Sequence, residues 1–180
     1  MSQEARTVNS SARTTGLVDI KSLVLLAILL AAGFILNMTL GNALAIVGIK
    51  PQFIIAAYAL AIILTRANLA QSALYAVLSA CVIQLTTSIP GLNFATELIA
   101  ALVMSALVKT NVGGEKINPL VSAFVTTLVS GALFAVVGTL LMGAALPTVV
   151  VKVPLVLGTA VFNAVVVQAL YFPLKKVLNK

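Results

Sequence analysis

Long apolar stretches, joined by short polar connections, take up most of this chain of 180 residues. Six runs that are nearly free of charge can be drawn, over residues 22–39, 53–64, 69–89, 92–108, 117–146 and 148–172. A transmembrane helix needs about 20 apolar residues, and a chain that is 61% apolar and 8% charged cannot cover its surface with polar groups in water. The sequence therefore predicts an all-α membrane protein with six transmembrane helices.

The second run, residues 53–64, is the shortest of the six. At about 1.5 Å per residue it does not reach across a bilayer by itself. We expect it to cross only if the segment before Pro51 lengthens it or if neighbouring helices shield it from lipid. The sequence TRANLAQ follows the run and places Arg66 and Asn68 at its boundary.

The basic residues are divided unequally between the two predicted sides of the membrane. Two of the 11 lie on one side, at Lys50 and Lys152. The other nine lie on the opposite side: Arg6, Arg13, Lys21, Arg66, Lys109, Lys116, Lys175, Lys176 and Lys180. Because cytoplasmic segments are enriched in Lys and Arg, both termini are predicted to be cytoplasmic, which requires an even number of crossings.

This topology divides the chain into two parts. Residues 1–20 are polar and are interpreted as a cytoplasmic N-terminal tail, and residues 21–180 as the six-helix transmembrane domain. The net charge of +7 is scattered over separate segments, so it indicates membrane orientation and attraction to anionic lipid rather than nucleic-acid binding.

The sequence lacks two features that many enzymes use. The chain has no histidine, the commonest metal ligand and general base, and no GxxxxGK[ST] phosphate loop. We therefore expect no enzymatic activity, no metal site and no bound cofactor, and any ATP would be used by another polypeptide. The single cysteine, Cys81, lies in an apolar run and is interpreted as a small core residue.

Three charged residues on the sparsely charged side are not explained by topology: Lys50, Glu97 and Lys152. An ionisable group in or near a membrane span is costly unless it is paired, solvated or used, so such groups are functional candidates. The alternative is structural: the lysines extend to lipid headgroups, and Glu97 pairs with one of them.

Polar residues near these charges favour a shared outward cavity. They are Asn37 and Asn42 at the outer end of the first run, and Gln84, Thr86, Thr87, Ser88 and Asn93 on the hairpin between the third and fourth runs. Pro90 and Gly91 predict a turn in that hairpin. Thr96 is positioned to cap the next helix, which would place Glu97 in its first turn. One anion and two cations in a cavity suit a zwitterion such as an amino acid.

Two further features of the apolar runs have alternative interpretations. Lys152 lies between Pro147 and Pro154 in a β-branched stretch, which predicts an extended loop over the cavity rather than a helix. Ala27 and Ala31 form a small-xxx-small face that allows close helix approach, either inside the protein or against another chain.

Five segments, taken in order, resemble one family: LAILLAAGF (26–34), GIKP (48–51), QLTTSIPG (84–91), TLVSGALF (127–134) and FNAVVVQALYFP (162–173). The chain resembles, over about residues 22–175, the tryptophan-transporter family of small S components of energy-coupling factor (ECF) importers. The resemblance implies a six-helix, substrate-binding subunit in a prokaryotic cell membrane. Such subunits capture a nutrient outside and reorient to deliver it, working with a transmembrane T component and two ABC-type ATPases.

The resemblance also assigns residues. It implies that Ala27 and Ala31 contact the T component, and that Lys50, Thr86, Thr87 and Asn163 contact substrate. The candidate substrate-binding set is therefore Lys50, Gln84, Thr86, Thr87, Asn93, Glu97, Lys152 and Asn163. The aromatic residues expected nearest to a bound indole are Phe53, Tyr58 and Phe94.

One departure from the family concerns the charge after the Pro-Gly turn. Members carry an adjacent acidic and basic pair there, whereas this chain has only Glu97. This leaves a different aromatic compound or a vitamin as an alternative substrate. A small secondary carrier and a structural or assembly membrane protein are the alternatives of other classes.

Overall fold

The computed structural model describes residues 19–46 and 51–178, and all regular elements in these ranges are helices. Helix α1 (Ile20–Leu36) continues through a π-helical turn (Asn37–Gly41) into the short α2 (Asn42–Ala45). The remaining helices are α3 (Phe53–Thr65), α4 (Leu69–Ile83), α5 (Leu92–Thr110), α6 (Gly114–Leu141) and α7 (Thr148–Leu178).

The boundary predicted at Arg66 and Asn68 separates α3 from α4, and local sequence signals set both helix ends there. Arg66 adopts a left-handed conformation after α3, with φ 48°. Asn68 then caps α4: its side chain accepts from the backbone N–H of Gln71, and the Gln71 side chain accepts from the N–H of Asn68. This reciprocal pair is a capping box, which satisfies two of the backbone donors that a helix start leaves open.

Helix α3 lies in the interior. All its residues from Phe53 to Ile63 are buried, and it packs against α1, α4, α5, α6 and α7. A helix that is apolar all round is stable only where its whole circumference is covered. The neighbouring helices therefore shield this short helix, as its sequence requires.

Four helical stretches within the described ranges are long and apolar enough to cross a membrane: Ile20–Ala45, Leu92–Thr110, Gly114–Leu141 and Thr148–Leu178. The shorter apolar helices are Phe53–Thr65 and Leu69–Ile83. The chain is thus an all-α protein with the long apolar helices of a multi-pass membrane protein.

Two glycines allow helices to approach closely. A Cβ atom on Gly33 would lie 2.9 Å from the carbonyl oxygen of Phe53, so α1 packs directly on the backbone of α3. A Cβ on Gly131 would lie 2.9 Å from a methyl group of Val156, where α6 meets α7. Small residues at such crossings let apolar helices gain van der Waals contact without a side chain between them.

Alternating helix directions gather the basic residues at one end of the bundle. The start of α6 meets the end of α7 there, through an ion pair between Glu115 and Lys175. The described basic residues at this end are Lys21, Arg66, Lys109, Lys116, Lys175 and Lys176. At the other end, Lys152 is the cation among the described residues.

Two expectations about the third run are wrong. Helix α4 ends at Ile83 rather than near residue 89, because residues 84–91 turn and the backbone N–H of Gly91 donates to the side-chain oxygen of Gln84 at 2.9 Å. Cys81 is exposed rather than part of the core. The buried stripe of α4 includes Ala76, Ala80 and Ile83 at helical spacing, and Cys81 lies beside it.

Candidate functional site

A cavity of about 370 Å³ opens at the end of the bundle opposite the basic residues. It is formed where α1, α4 and α6 end and where α3, α5 and α7 begin. Among the described residues, its polar lining consists of Asn37, Asn42, Gln52, Thr86, Thr87, Ser88, Asn93, Glu97, Thr127, Ser130, Lys152 and Thr159. This volume lies in the range of small-molecule sites, which are typically about 300–1,000 Å³.

Glu97 lies in the wall of this cavity and is only 2% exposed. One carboxylate oxygen accepts a hydrogen bond from the Tyr58 hydroxyl at 2.8 Å. The other oxygen accepts from Ser130 at 2.6 Å and, at 3.4 Å, from Thr96. Three neutral hydroxyls on α3, α5 and α6 therefore fix the direction of the carboxylate.

The expected position of Glu97 on its helix is wrong by one turn. Gly91, with φ 84°, is the residue before α5, so the helix begins at Leu92 and not after Thr96. Thr96 does not cap the helix, and Glu97 lies in the second turn. The Pro90-Gly91 turn itself forms as the sequence indicates, and it is what starts the helix earlier.

The hairpin between α4 and α5 contributes four of the residues predicted for the cavity: Thr86, Thr87, Ser88 and Asn93. The Thr87 hydroxyl donates to the side-chain oxygen of Asn93 at 2.6 Å, which ties the two halves of the hairpin together. Gln84 is not part of the lining; its side-chain oxygen holds the turn by accepting from the Gly91 N–H.

Lys152 lines the cavity, but not from a loop. Helix α7 starts at Thr148 and runs through Pro154, so the expectation of an extended segment is wrong. Proline is tolerated inside apolar membrane helices because neighbouring groups compensate for the lost hydrogen bond. The Lys152 ammonium group donates to the Thr139 hydroxyl at 2.8 Å, which links the start of α7 to the end of α6.

Asn163 lies behind the cavity wall rather than in it. Its side-chain amide donates to the backbone carbonyl of Gln52 at 3.1 Å and to the Thr127 hydroxyl at 3.3 Å. Both of these partners line the cavity. Asn37 has a similar supporting position, since its side-chain oxygen accepts from the backbone N–H of Phe53 at 2.9 Å and so holds the start of α3.

The remaining predicted residues that the structure describes fall outside the cavity. Lys50 lies outside the described residues. Ala27 and Ala31 are exposed on α1, whose buried residues are Leu26, Leu30 and Gly33, so they do not form an internal packing face. The three aromatics expected near a bound indole, Phe53, Tyr58 and Phe94, do not line the cavity.

Sequence reasoning missed the partners that hold Glu97. The sequence indicates Tyr58 only as a stacking surface and gives no sign of a role for Ser130. The available signal was a set of small polar residues on one face of an otherwise apolar helix, since Thr126, Thr127 and Ser130 are all buried on α6. The aromatic residue that lines the cavity is Phe134, also on α6.

Comparisons with protein-family models, with curated proteins and with solved structures give no significant match to this chain.

Proposed function

We propose that the chain is the substrate-specific binding subunit of an ATP-driven importer of the ECF type, with tryptophan as its substrate. In this proposal the chain has no ATPase activity of its own and works in a prokaryotic cell membrane with a T component and two ABC-type ATPases. The observation that carries it is a ligand-sized cavity with a buried carboxylate at the end of the bundle opposite the basic residues.

The distribution of charge supports an outward-facing cavity. Lys and Arg accumulate on the cytoplasmic side of membrane proteins, so the end that carries six described basic residues is assigned to the cytoplasm. The opposite end then faces outward, where a nutrient would be captured. Both termini are cytoplasmic in this arrangement.

The packing of α3 supports six crossings, in which the shorter helices α3 and α4 also cross the membrane. These helices have 13 and 15 residues, against about 20 needed to span lipid. Because α3 is surrounded by five other helices, it contacts protein rather than lipid and does not have to match the bilayer thickness. With these two helices, the four long apolar stretches complete the six-helix bundle.

The exposed face of α1 supports the proposal that another chain packs against this protein. Ala27 and Ala31 are exposed and four residues apart, and small residues at this spacing allow another apolar helix to approach closely. This is the position at which the resemblance places the contact with the T component.

A thermal-shift screen of the purified chain tests the binding function directly. The panel contains the twenty amino acids and common vitamins. A ligand that binds only the folded state adds about 2.7 kcal/mol of stability at 100 times its Kd, so tryptophan is expected to raise the Tm. A shift with a vitamin alone would reassign the substrate, and no shift with any compound would favour a structural protein.

Transport assays separate the importer from a secondary carrier. The chain in liposomes is expected to bind tryptophan without transporting it, and to transport it when the T component and ATPases are added with ATP. Uptake by the chain alone, driven by an ion gradient, would contradict the proposal.

A further inference from the structure

One face of α6 forms part of the cavity wall. The residues of this helix that line the cavity are Thr127, Ser130, Gly131, Phe134 and Ala135. Their spacing of three and four residues places them on one side of the helix. The hydroxyls of Thr127 and Ser130 are buried, whereas Phe134 is half-buried and lies one turn closer to the end of α6. Along the cavity, this face therefore changes from polar to aromatic.

The Phe134 ring has no aromatic partner among the residues that the structure describes. Other rings of the bundle are paired: Phe53 packs edge-on against Phe162 with the ring centroids 5.5 Å apart, and Tyr171 packs against Phe172. Aromatic rings gain from an offset or edge-on contact with another ring, beyond the area that they bury. In this cavity, an aromatic ligand can supply that contact.

The direction of the Phe134 side chain follows from its place on the helix. Long side chains on an α-helix lean toward its N-terminus, over the preceding turn. For Phe134 that turn contains Ser130, whose hydroxyl donates to Glu97 at 2.6 Å. The ring therefore leans toward the polar inner end of the cavity and away from the end of α6.

The spacing along α6 matches the length of an aromatic amino acid. Four residues separate Ser130 from Phe134, which corresponds to about 6 Å of helix rise. In tryptophan, two carbon–carbon bonds join the head group to the ring system, so the ring centre lies roughly 5 Å from the head group. A polar head group beside Ser130 therefore places the ring level with Phe134. Ile55 and Val156 add apolar surface to the same cavity.

We propose that Phe134 forms an aromatic-recognition subsite, so that the cavity selects aromatic amino acids over aliphatic ones. This inference rests on the proposed binding function of the cavity. The ligand ring packs against the Phe134 ring, and the head group lies at the inner end beside Ser130. Phe134 thus takes the role that the sequence suggested for Phe53, Tyr58 and Phe94.

Phe134→Leu tests the subsite by calorimetry on the purified full-length chain. Leucine keeps an apolar side chain and removes the ring, so the Kd for tryptophan is expected to rise about tenfold. Phe124→Leu is the matched control, because Phe124 is also half-buried on α6 but does not line the cavity. This control should leave the Kd unchanged. An unchanged Kd in Phe134→Leu, or an equal rise in both variants, would overturn the inference.

A ligand pair tests the inference on the unaltered chain, so the result does not depend on the folding of a variant. Phenylalanine and cyclohexylalanine differ in whether the ring is aromatic or saturated. The saturated ring is the more apolar, so burial alone favours cyclohexylalanine. Phenylalanine is nonetheless expected to displace bound tryptophan at a concentration about threefold lower. Equal or better displacement by cyclohexylalanine, or displacement by neither compound, would overturn the inference.

The subsite and the importer fail separately. Partner-dependent import of tryptophan, together with an unchanged Kd in Phe134→Leu, would refute the subsite and leave the importer standing. A tenfold loss of tryptophan affinity in Phe134→Leu, with no partner-dependent import by the unaltered chain, would refute the importer and leave the subsite standing.

Discussion

Glu97→Gln is expected to raise the Kd for tryptophan by about 100-fold while leaving the protein folded, since a hydrogen bond to a charged group contributes about 1.5–3 kcal/mol. Glutamine keeps the shape of the side chain and removes its charge. One of its two terminal atoms is a donor, so it cannot accept from both Tyr58 and Ser130 as Glu97 does. A small fall in Tm without ligand is therefore expected as well.

Glu115→Gln is the matched control. Glu115 is exposed at the opposite end of the bundle, where it pairs with Lys175. The same chemical change there should leave tryptophan affinity unchanged. If Glu97→Gln also leaves the affinity unchanged and only lowers the Tm, then Glu97 is a structural link between α3, α5 and α6 and not a ligand-binding group.

Replacing both Ala27 and Ala31 with leucine is expected to reduce the rate of import by about tenfold or more, because bulky side chains prevent the close approach that small residues allow. Tryptophan affinity should be unaffected. Both residues are exposed, and the buried face of α1 is formed instead by Leu26, Leu30 and Gly33. The measurement is uptake by the reconstituted complex, together with calorimetry on the isolated chain.

Ala132→Leu is the control for this experiment, since Ala132 is an exposed alanine on α6. It should leave both import and binding unchanged. If the leucines on α1 abolish tryptophan binding as well as import, the exposed face contributes to the fold of this chain rather than to a contact with a partner.

The sequence predicted the site best where polar residues interrupt apolar runs. Thr86, Thr87 and Asn93 lie in the cavity because a Pro-Gly turn between two apolar helices places their hairpin at the end of the bundle. Glu97 and Lys152 also line the cavity, and both stood out because charge is costly in a membrane protein.

Where each helix begins and which side chains hydrogen-bond to each site residue could not be predicted in the same way. The β-branched run around Lys152 suggested an extended loop, but packing against α6 stabilises a helix there despite Pro154. Tyr58 and Ser130 are distant in sequence from Glu97, and only the crossing of α3, α5 and α6 brings them together. Side-chain pairing of this kind depends on helix rotation, which an almost uniformly apolar sequence specifies weakly.

The central claim is that this cavity faces outward and binds the substrate. Chemical labelling of a residue at the cavity mouth tests this claim most directly. Ser88 lines the cavity and is exposed, so Ser88→Cys in a Cys81→Ser background provides a single reactive thiol there. In intact cells, a membrane-impermeant maleimide should label this thiol from outside, and saturating tryptophan should slow the labelling. Labelling that requires opening the membrane, or a rate that tryptophan does not change, would contradict the account.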